Sequence, residues 1–193
     1  MPVLKGEDLV KIYGGKSNST RALDGMNISV KKGEFVGVMG PSGSGKTTLL
    51  NLLGGLDKPT SGQVKINSKK IHQMDKNKLA KFRRRNLGFI FQDFNLLDSS
   101  TIKENIILPL ILDGKFSAQK MENRAENIMS YLGIKELVDK YPYNVSGGQQ
   151  QRAVAARALI NDPAVVLADE PTGNLDSKSS RKVMKNLQHL NIN

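Results

Sequence analysis

Gly40-Pro41-Ser42-Gly43-Ser44-Gly45-Lys46-Thr47 fits the pattern G-x-x-x-x-G-K-[ST]. Residue types at this spacing serve phosphate. Glycine lets the backbone curl until its N–H groups point inward at phosphate oxygens. A helix opening straight after the loop aims its positive end at the same place. Lys46 is placed to reach the β- and γ-phosphates of a nucleotide, and the Thr47 hydroxyl to hold Mg²⁺. Thr48 completes this phosphate-binding set.

A nucleotide-hydrolysing site also needs a carboxylate for the metal and a group that orients water. Val165-Val166-Leu167-Ala168-Asp169-Glu170 supplies both. The apolar run delivers Asp169 to the metal, and the adjacent Glu170 polarises the attacking water. A third stretch, Val145-Ser146-Gly147-Gly148-Gln149-Gln150-Gln151-Arg152, is a second glycine-rich helix start. Its N–H groups, the Ser146 hydroxyl and the helix dipole all favour an anion. One nucleotide does not need two cradles in one chain, so the second cradle suggests phosphate contact across a dimer.

The elements around these residues suit them. Glu34–Met39 reads as a buried strand entering the phosphate loop, and Thr48–Leu53 as the helix leaving it. Upstream, Leu9–Tyr13 and Met26–Val30 read as strands of an antiparallel β part, with Gly14–Ser19 as a loop. Lys58–Gly62 is a turn and Gln63–Ile66 a short strand. Lys76–Arg85 reads as a basic helix and Leu87–Phe91 as an apolar strand with Gln92 at its end. Ile102–Leu112 is apolar nearly all round, and Pro109 is expected to end or kink it. Ser117–Leu132 is an amphipathic helix with Met121, Ala125, Ile128, Met129 and Leu132 on one side. Tyr141–Asn144 is a turn. Ser146 and Gln149 form a capping-box pair that starts a helix, which Asn161-Asp162-Pro163 stops. Val165–Ala168 is a buried strand and Ser177–Leu190 a last helix.

The bulk numbers narrow the classes. At 193 residues, 38% hydrophobic and 24% charged, the chain is a globular domain with room for a core. It has no cysteine, which excludes a disulfide scaffold and thiolate metal sites. No apolar run approaches a membrane span, and the first residues lack a signal peptide's apolar stretch. The net charge of +11 suits an anionic ligand, an acidic membrane surface or nucleic acid. The one dense basic run, Lys81-Phe82-Arg83-Arg84-Arg85, reads best as a solvated helix face. His72 lies in a polar stretch and reads as an ordinary surface residue.

The phosphate loop, the strand-end Gln92, the Ser146-Gly147-Gly148-Gln149 signature, the Asp169-Glu170 pair and Asn174-Leu175-Asp176 stand in the order of one family. The chain resembles the nucleotide-binding subunit of an ABC transporter along its whole length. The resemblance implies an α/β fold of P-loop NTPase type. A RecA-like parallel sheet core and an antiparallel β part would span residues 1–101 and 145–193, with a helical subdomain inserted at 102–144. It implies ATP and Mg²⁺ as ligands, and two subunits that sandwich two ATP molecules. Each ATP would lie on the phosphate loop of one subunit and on Ser146, Gly147, Gly148 and Gln149 of the other. Gln92 would contact metal and water and report to the membrane partner. Asp176 would sit at the dimer interface, and Tyr13 would stack on adenine. Catalysis would rest on Glu170, Gln92 and Lys46, and the metal on Thr47, Gln92 and Asp169.

Ala168–Asp176 resembles the group serving lipoprotein release, macrolide export and cell-division permeases. Lys11–Gly15 and Gln92–Leu97 look like the bacitracin-type antimicrobial-peptide resistance branch. The expected protein is a cytoplasmic ATPase held at the inner face of the membrane by a separate integral permease, with no nucleic acid partner. Two other readings compete: an ATP-responsive regulatory subunit that turns over little, and a nucleic-acid-associated ATPase. The family places a further strand after the last helix, ending in a histidine that touches the γ-phosphate. Residue 193 precedes it, and His189 lies inside a helical pattern. The expectation is a C-terminally shortened domain that keeps the ATP-site residues and hydrolyses poorly.

Overall fold

The structure, a computed structural model, describes residues 1–15 and 18–171. The readings for Asn174, Leu175, Asp176, Ser177–Leu190 and His189 lie outside the described residues. The chain forms two compact units, Met1–Arg83 and Arg84–Asn193.

The first unit is an antiparallel sheet with a helix against it. Its strands are β1 (Pro2–Tyr13), β2 (Thr20–Lys31), β3 (Ser61–Ile66) and the short β4 (Lys69–Lys70), in the order β2-β1-β3-β4. The antiparallel part expected from the sequence is therefore present, with longer strands than their apolar stretches suggested. β1 hides its length behind a bulge. Leu4 and Gly6 face inward, and Asp8 then takes φ 48° and shifts the register, so that Leu9 rather than Asp8 faces inward next. A bulge reverses strand parity, which blurs the alternation a strand normally shows. Helix α1 (Lys46–Leu53) buries Leu49, Leu52 and Leu53 and touches β1 and β2. Leu4, Leu9, Leu23, Val64, Ile66 and Ile71 complete this core, and α2 (Lys76–Asn86) adds Leu79 and Phe82.

Gly62 makes the bulge possible. It has φ +87°, and a Cβ there would fall 2.3 Å from the Asp8 carbonyl oxygen and 2.5 Å from that of Glu7. Both atoms are backbone and cannot swing away. The Gly62→Ala substitution is expected to destabilise the first unit by about 2 kcal/mol or more. Urea unfolding followed by circular dichroism measures it, and a loss below about 0.5 kcal/mol would contradict this account.

One expectation fails here. Glu34–Met39 forms no strand, and its side chains are open, with Val36 47% and Met39 96% exposed. Among the described residues no strand pairs with it. Apolar content alone does not make a strand, because its N–H and C=O groups need a ladder partner. His72 also departs from its surface reading. It is half-buried, its Nε2 lies 3.0 Å from the Leu52 carbonyl at the end of α1, and burial pushes its pKa below the ordinary value.

The second unit packs helices on a pair of parallel strands, β5 (Leu87–Ile90) and β6 (Val165–Ala168), joined residue for residue from Leu87↔Val165 to Ile90↔Ala168. The helices are α3 (Ile102–Asp113), α4 (Ala118–Tyr131) and α5 (Gly147–Leu159). Their common core runs through Ile90, Ile102, Ile106, Leu110, Met129, Leu132, Ile134 and Val154. The α4 face read from the sequence packs here, with Ala125, Met129 and Leu132 buried and Met121 and Ile128 partly so. Pro109 does not end α3, which runs on to Asp113 and closes on Gly114 at φ 66°. The helix loses one hydrogen bond at the proline. Burial of Ile106 and Leu110 on either side offsets it.

Candidate functional site

The phosphate loop belongs to the first unit. It is an open curl without regular structure, closed by Ser44 N–H donating to the Pro41 carbonyl at 3.3 Å. Gly43 and Gly45 take φ 78° and 88°. A Cβ at Gly45 would lie 2.5 Å from the Ala22 carbonyl oxygen, so only glycine lets the loop cross β2 and enter α1. Lys46 folds back over the curl and donates to the carbonyls of Gly40 (2.9 Å) and Pro41 (2.8 Å). Ser42 and Thr47 are exposed and Thr48 is half-buried.

The start of α1 differs from the other capped helices. Thr101, Ser117 and Ser146 cap α3, α4 and α5 with their side chains, whereas Gly45 offers α1 none. The first N–H groups of α1 are thus not claimed by a cap, as an anion-binding helix start requires. Residues 1–83 hold 15 Lys and Arg against 6 Asp and Glu, while 84–193 hold 14 against 12. The phosphate loop therefore lies in the unit that carries most of the net positive charge, which attracts an anionic nucleotide.

Tyr13 ends β1 with its ring partly open. Its hydroxyl donates to Asp57 Oδ2 at 2.9 Å, and the Lys11 ammonium sits 4.7 Å from the ring centroid. Lys11 also pairs with Asp57, at 2.7 Å. Burial pushes the Asp57 carboxyl up, but the hydrogen bonds from Lys11 and Tyr13 outweigh it and hold the group below the usual range. Asp57, which stands just before the Lys58–Gly62 turn and was passed over in the sequence, thus fixes the aromatic ring.

The second unit gathers Gln92, Asp169 and Glu170. β5 and β6 run parallel, so both chains leave the sheet at the same edge. Asp169 N–H donates to the Ile90 carbonyl at 2.9 Å, which extends the ladder one residue past β6. Asp169 is half-buried, while Gln92 and Glu170 are exposed. Glu170 has φ 45°, a strained setting for a residue with a Cβ.

The signature opens α5 as expected. Gln149 N–H donates to Ser146 Oγ at 3.4 Å, and Ser146 N–H donates to Gln149 Oε1 at 2.8 Å. Gln149 is therefore engaged in the cap of its own helix. The Ser146 hydroxyl accepts there and keeps its own proton to donate. α5 lies hard against β5, because a Cβ at Gly88 would fall 2.4 Å from the Ala158 carbonyl oxygen.

Three residues that the sequence reading passed over hold the loops of this edge. Asn105 on α3 is fully buried, and its Oδ1 accepts from Leu97 N–H at 2.7 Å. Its Nδ2 donates to the carbonyls of Leu97, Ser100 and Thr101 at 3.0–3.1 Å. Arg157 on α5 donates to the carbonyls of Asn95 (2.6 Å) and Phe94 (3.0 Å), in the loop that follows Gln92. Gln151 on α5 is 2% exposed and donates to the Pro171 carbonyl at 2.7 Å. The available signal was a polar residue on an apolar stripe. Gln151 shares its helix face with the buried Val154, Ala155 and Ala158.

The basic run is not a solvated face. Arg83 donates to the Gly55 carbonyl, Arg84 to the Leu112 carbonyl, and Arg85 pairs with the buried Asp113 at 2.6 Å.

Comparison with known proteins follows the same lines. The model of the family described as "ABC transporter" matches residues 23–173. The uncharacterized ABC transporter ATP-binding protein YvcR of Bacillus subtilis (strain 168) is 56% identical over 193 residues, covering 99% of this chain and 74% of that protein. The bacitracin export ATP-binding protein BceA of Halalkalibacterium halodurans is 49% identical over 191 residues, 99% of this chain and 75% of its own length. Among solved structures, the dimeric post-hydrolysis state of the ATP-binding cassette MJ0796 of Methanocaldococcus jannaschii, bound to ADP and Pi, superposes with a TM-score of 0.89. It is 43% identical, covering 97% of this chain and 82% of that one. The chain belongs to the ABC transporter family. It has the P-loop NTPase fold of that family's ATPases and is the ATP-binding, ATP-hydrolysing subunit of such a transporter.

Proposed function

We propose that this subunit hydrolyses ATP with Mg²⁺ to drive a separate membrane permease that handles an antimicrobial peptide or lipid-like substrate. The observation that carries the nucleotide reading is the start of α1: left-handed Gly43 and Gly45, no side-chain cap, and Lys46 curled across the loop. In this reading Lys46 and the N–H groups of residues 40–48 bind the phosphates, and Tyr13 stacks on adenine. Asp169, Gln92 and Thr47 hold Mg²⁺. Such a set suits Mg²⁺, which is bound through one or two carboxylates, here Asp169, together with substrate phosphates. Bound there, the ion neutralises charge on the phosphate oxygens. Glu170 accepts a proton from water as the water oxygen attacks the γ-phosphorus. The bond to the bridging oxygen breaks, leaving ADP and phosphate.

Two copies pair in this reading, as the MJ0796 cassettes do. Ser146, Gly147, Gly148 and Gln149 of one copy face the ATP held by the other, with Asp176 at the contact. Residues 102–144 are the helical subdomain of an otherwise continuous core. The subunit sits on the cytoplasmic face through its permease. Kinship to the bacitracin export protein BceA supports the peptide-resistance reading.

Thermal melting tests the site. Mg-ATP at a hundred times Kd is expected to add about 2.7 kcal/mol. For a domain of this size that raises the melting temperature by roughly 5–11 °C. The Lys46→Ala variant should lose the shift, and a shift that survives it would place the phosphates elsewhere. The transport reading is tested in vesicles carrying subunit and permease, where a bacitracin-class peptide should stimulate ATP turnover. Turnover indifferent to both permease and peptide would overturn it.

A further inference from the structure

Glu170 has a left-handed, strained backbone, and something must hold it. A non-glycine residue at φ 45° persists only where its surroundings over-determine it. On one side, Asp169 N–H is pinned to the Ile90 carbonyl at 2.9 Å. On the other, the Pro171 carbonyl takes a 2.7 Å hydrogen bond from Gln151 Nε2. Gln151 is 2% exposed and sits one turn into α5, whose first residues are the signature glycines. Two turns further along, Arg157 holds the loop after Gln92 by the carbonyls of Phe94 and Asn95. α5 is itself fixed against β5 by the close approach at Gly88.

We propose that Gln151 is a positioning residue for the hydrolytic step: its side-chain amide, donating to the Pro171 carbonyl, clamps the Asp169–Pro171 turn and thereby sets the Glu170 carboxylate. The proposal rests on the reading of Glu170 as the group that takes the proton from water. The clamp uses a donor, so shape alone does not replace it. Methionine at this position keeps the length and the packing but leaves the carbonyl unpaired. Glutamate keeps the outline of glutamine but turns an oxygen toward the carbonyl oxygen.

The test uses the full-length subunit, free and assembled with its permease, as wild type, Gln151→Met and Gln151→Glu. Residue-resolved amide exchange reads the turn directly. In Q151M, exchange at Asp169, whose N–H is held by the Ile90 carbonyl, should rise at least about tenfold, while amides of β1 stay at wild-type rates. ATP turnover should fall at least about tenfold in kcat with KM for ATP within about twofold. Q151E should fall further than Q151M. The proposal is overturned if Q151M keeps wild-type exchange at Asp169, if its kcat stays within about twofold, or if kcat and melting temperature fall while KM rises, as general damage would give. A Glu170→Gln subunit that turns ATP over as fast as wild type sinks the reading of Glu170 instead. Exchange at Asp169 then still decides whether Gln151 sets the turn.

Discussion

The Glu170→Gln variant is expected to bind ATP as the wild type does and to turn it over about 10²–10⁴-fold more slowly, the usual contribution of a positioned general base. Glutamine keeps the size of the side chain and the position of its Cβ. It removes the ability to accept a proton from water. The backbone around it should be unmoved, because the Asp169 bond to Ile90 and the Gln151 bond to Pro171 both use groups outside residue 170. Single-turnover hydrolysis with the subunit in excess over ATP separates this effect from binding. A Kd within about twofold of wild type together with the rate loss is the expected pair. Turnover within about threefold of wild type would mean that another group activates the water.

The second large effect concerns stability. Asn105→Ala is expected to destabilise the second unit by about 3–5 kcal/mol, at the upper end for one substitution. The side chain holds four backbone groups of the 97–101 segment while fully buried. Its removal leaves Leu97 N–H without that acceptor and the Ser100 carbonyl without that donor, each costing about 1–3 kcal/mol when unpaired, while the Leu97 and Thr101 carbonyls lose one bond but keep the N–H groups of Ser100 and Asn105. Relaxation and entering water reduce the sum. Asn105→Asp should be worse, since a carboxylate would face three carbonyl oxygens in a dry site. Chemical unfolding followed by circular dichroism measures both, and a loss under about 1 kcal/mol for the alanine variant would contradict the assignment.

The family of this chain was easier to read than its joinery. Gly40–Thr47, Ser146–Gln149 and Asp169-Glu170, the residues proposed for phosphate and water chemistry, stand out because that chemistry needs particular residue types at fixed spacing. The α4 stripe and the capping box of α5 were legible for the same reason, since each depends on neighbours close in sequence. What stayed hidden depends on partners far along the chain. The strand reading of Glu34–Met39 came from local apolarity, while forming a ladder requires another strand. The arginines at 83–85 looked solvated because the carbonyls and carboxylate they bind stand 28 residues away. Gln151 and Arg157 act through backbone carbonyls that no sequence signature identifies, although Gln151 stands out as a polar residue on an apolar helix face. β1 was half hidden because a bulge at Asp8 breaks the alternation that marks a strand.

On the proposed reading of Glu170 as the group that takes the proton from water, its left-handed backbone puts function and thermal robustness in opposition at a single position. Glycine adopts that conformation freely, and asparagine tolerates it better than glutamate does. Either change relieves local strain while deleting the carboxylate. A selection that rewards only heat resistance or yield will therefore drift toward glycine or asparagine at 170 and enrich well-behaved but inactive subunits. Directed improvement of this domain has to score turnover in the same round as melting temperature, or hold position 170 fixed.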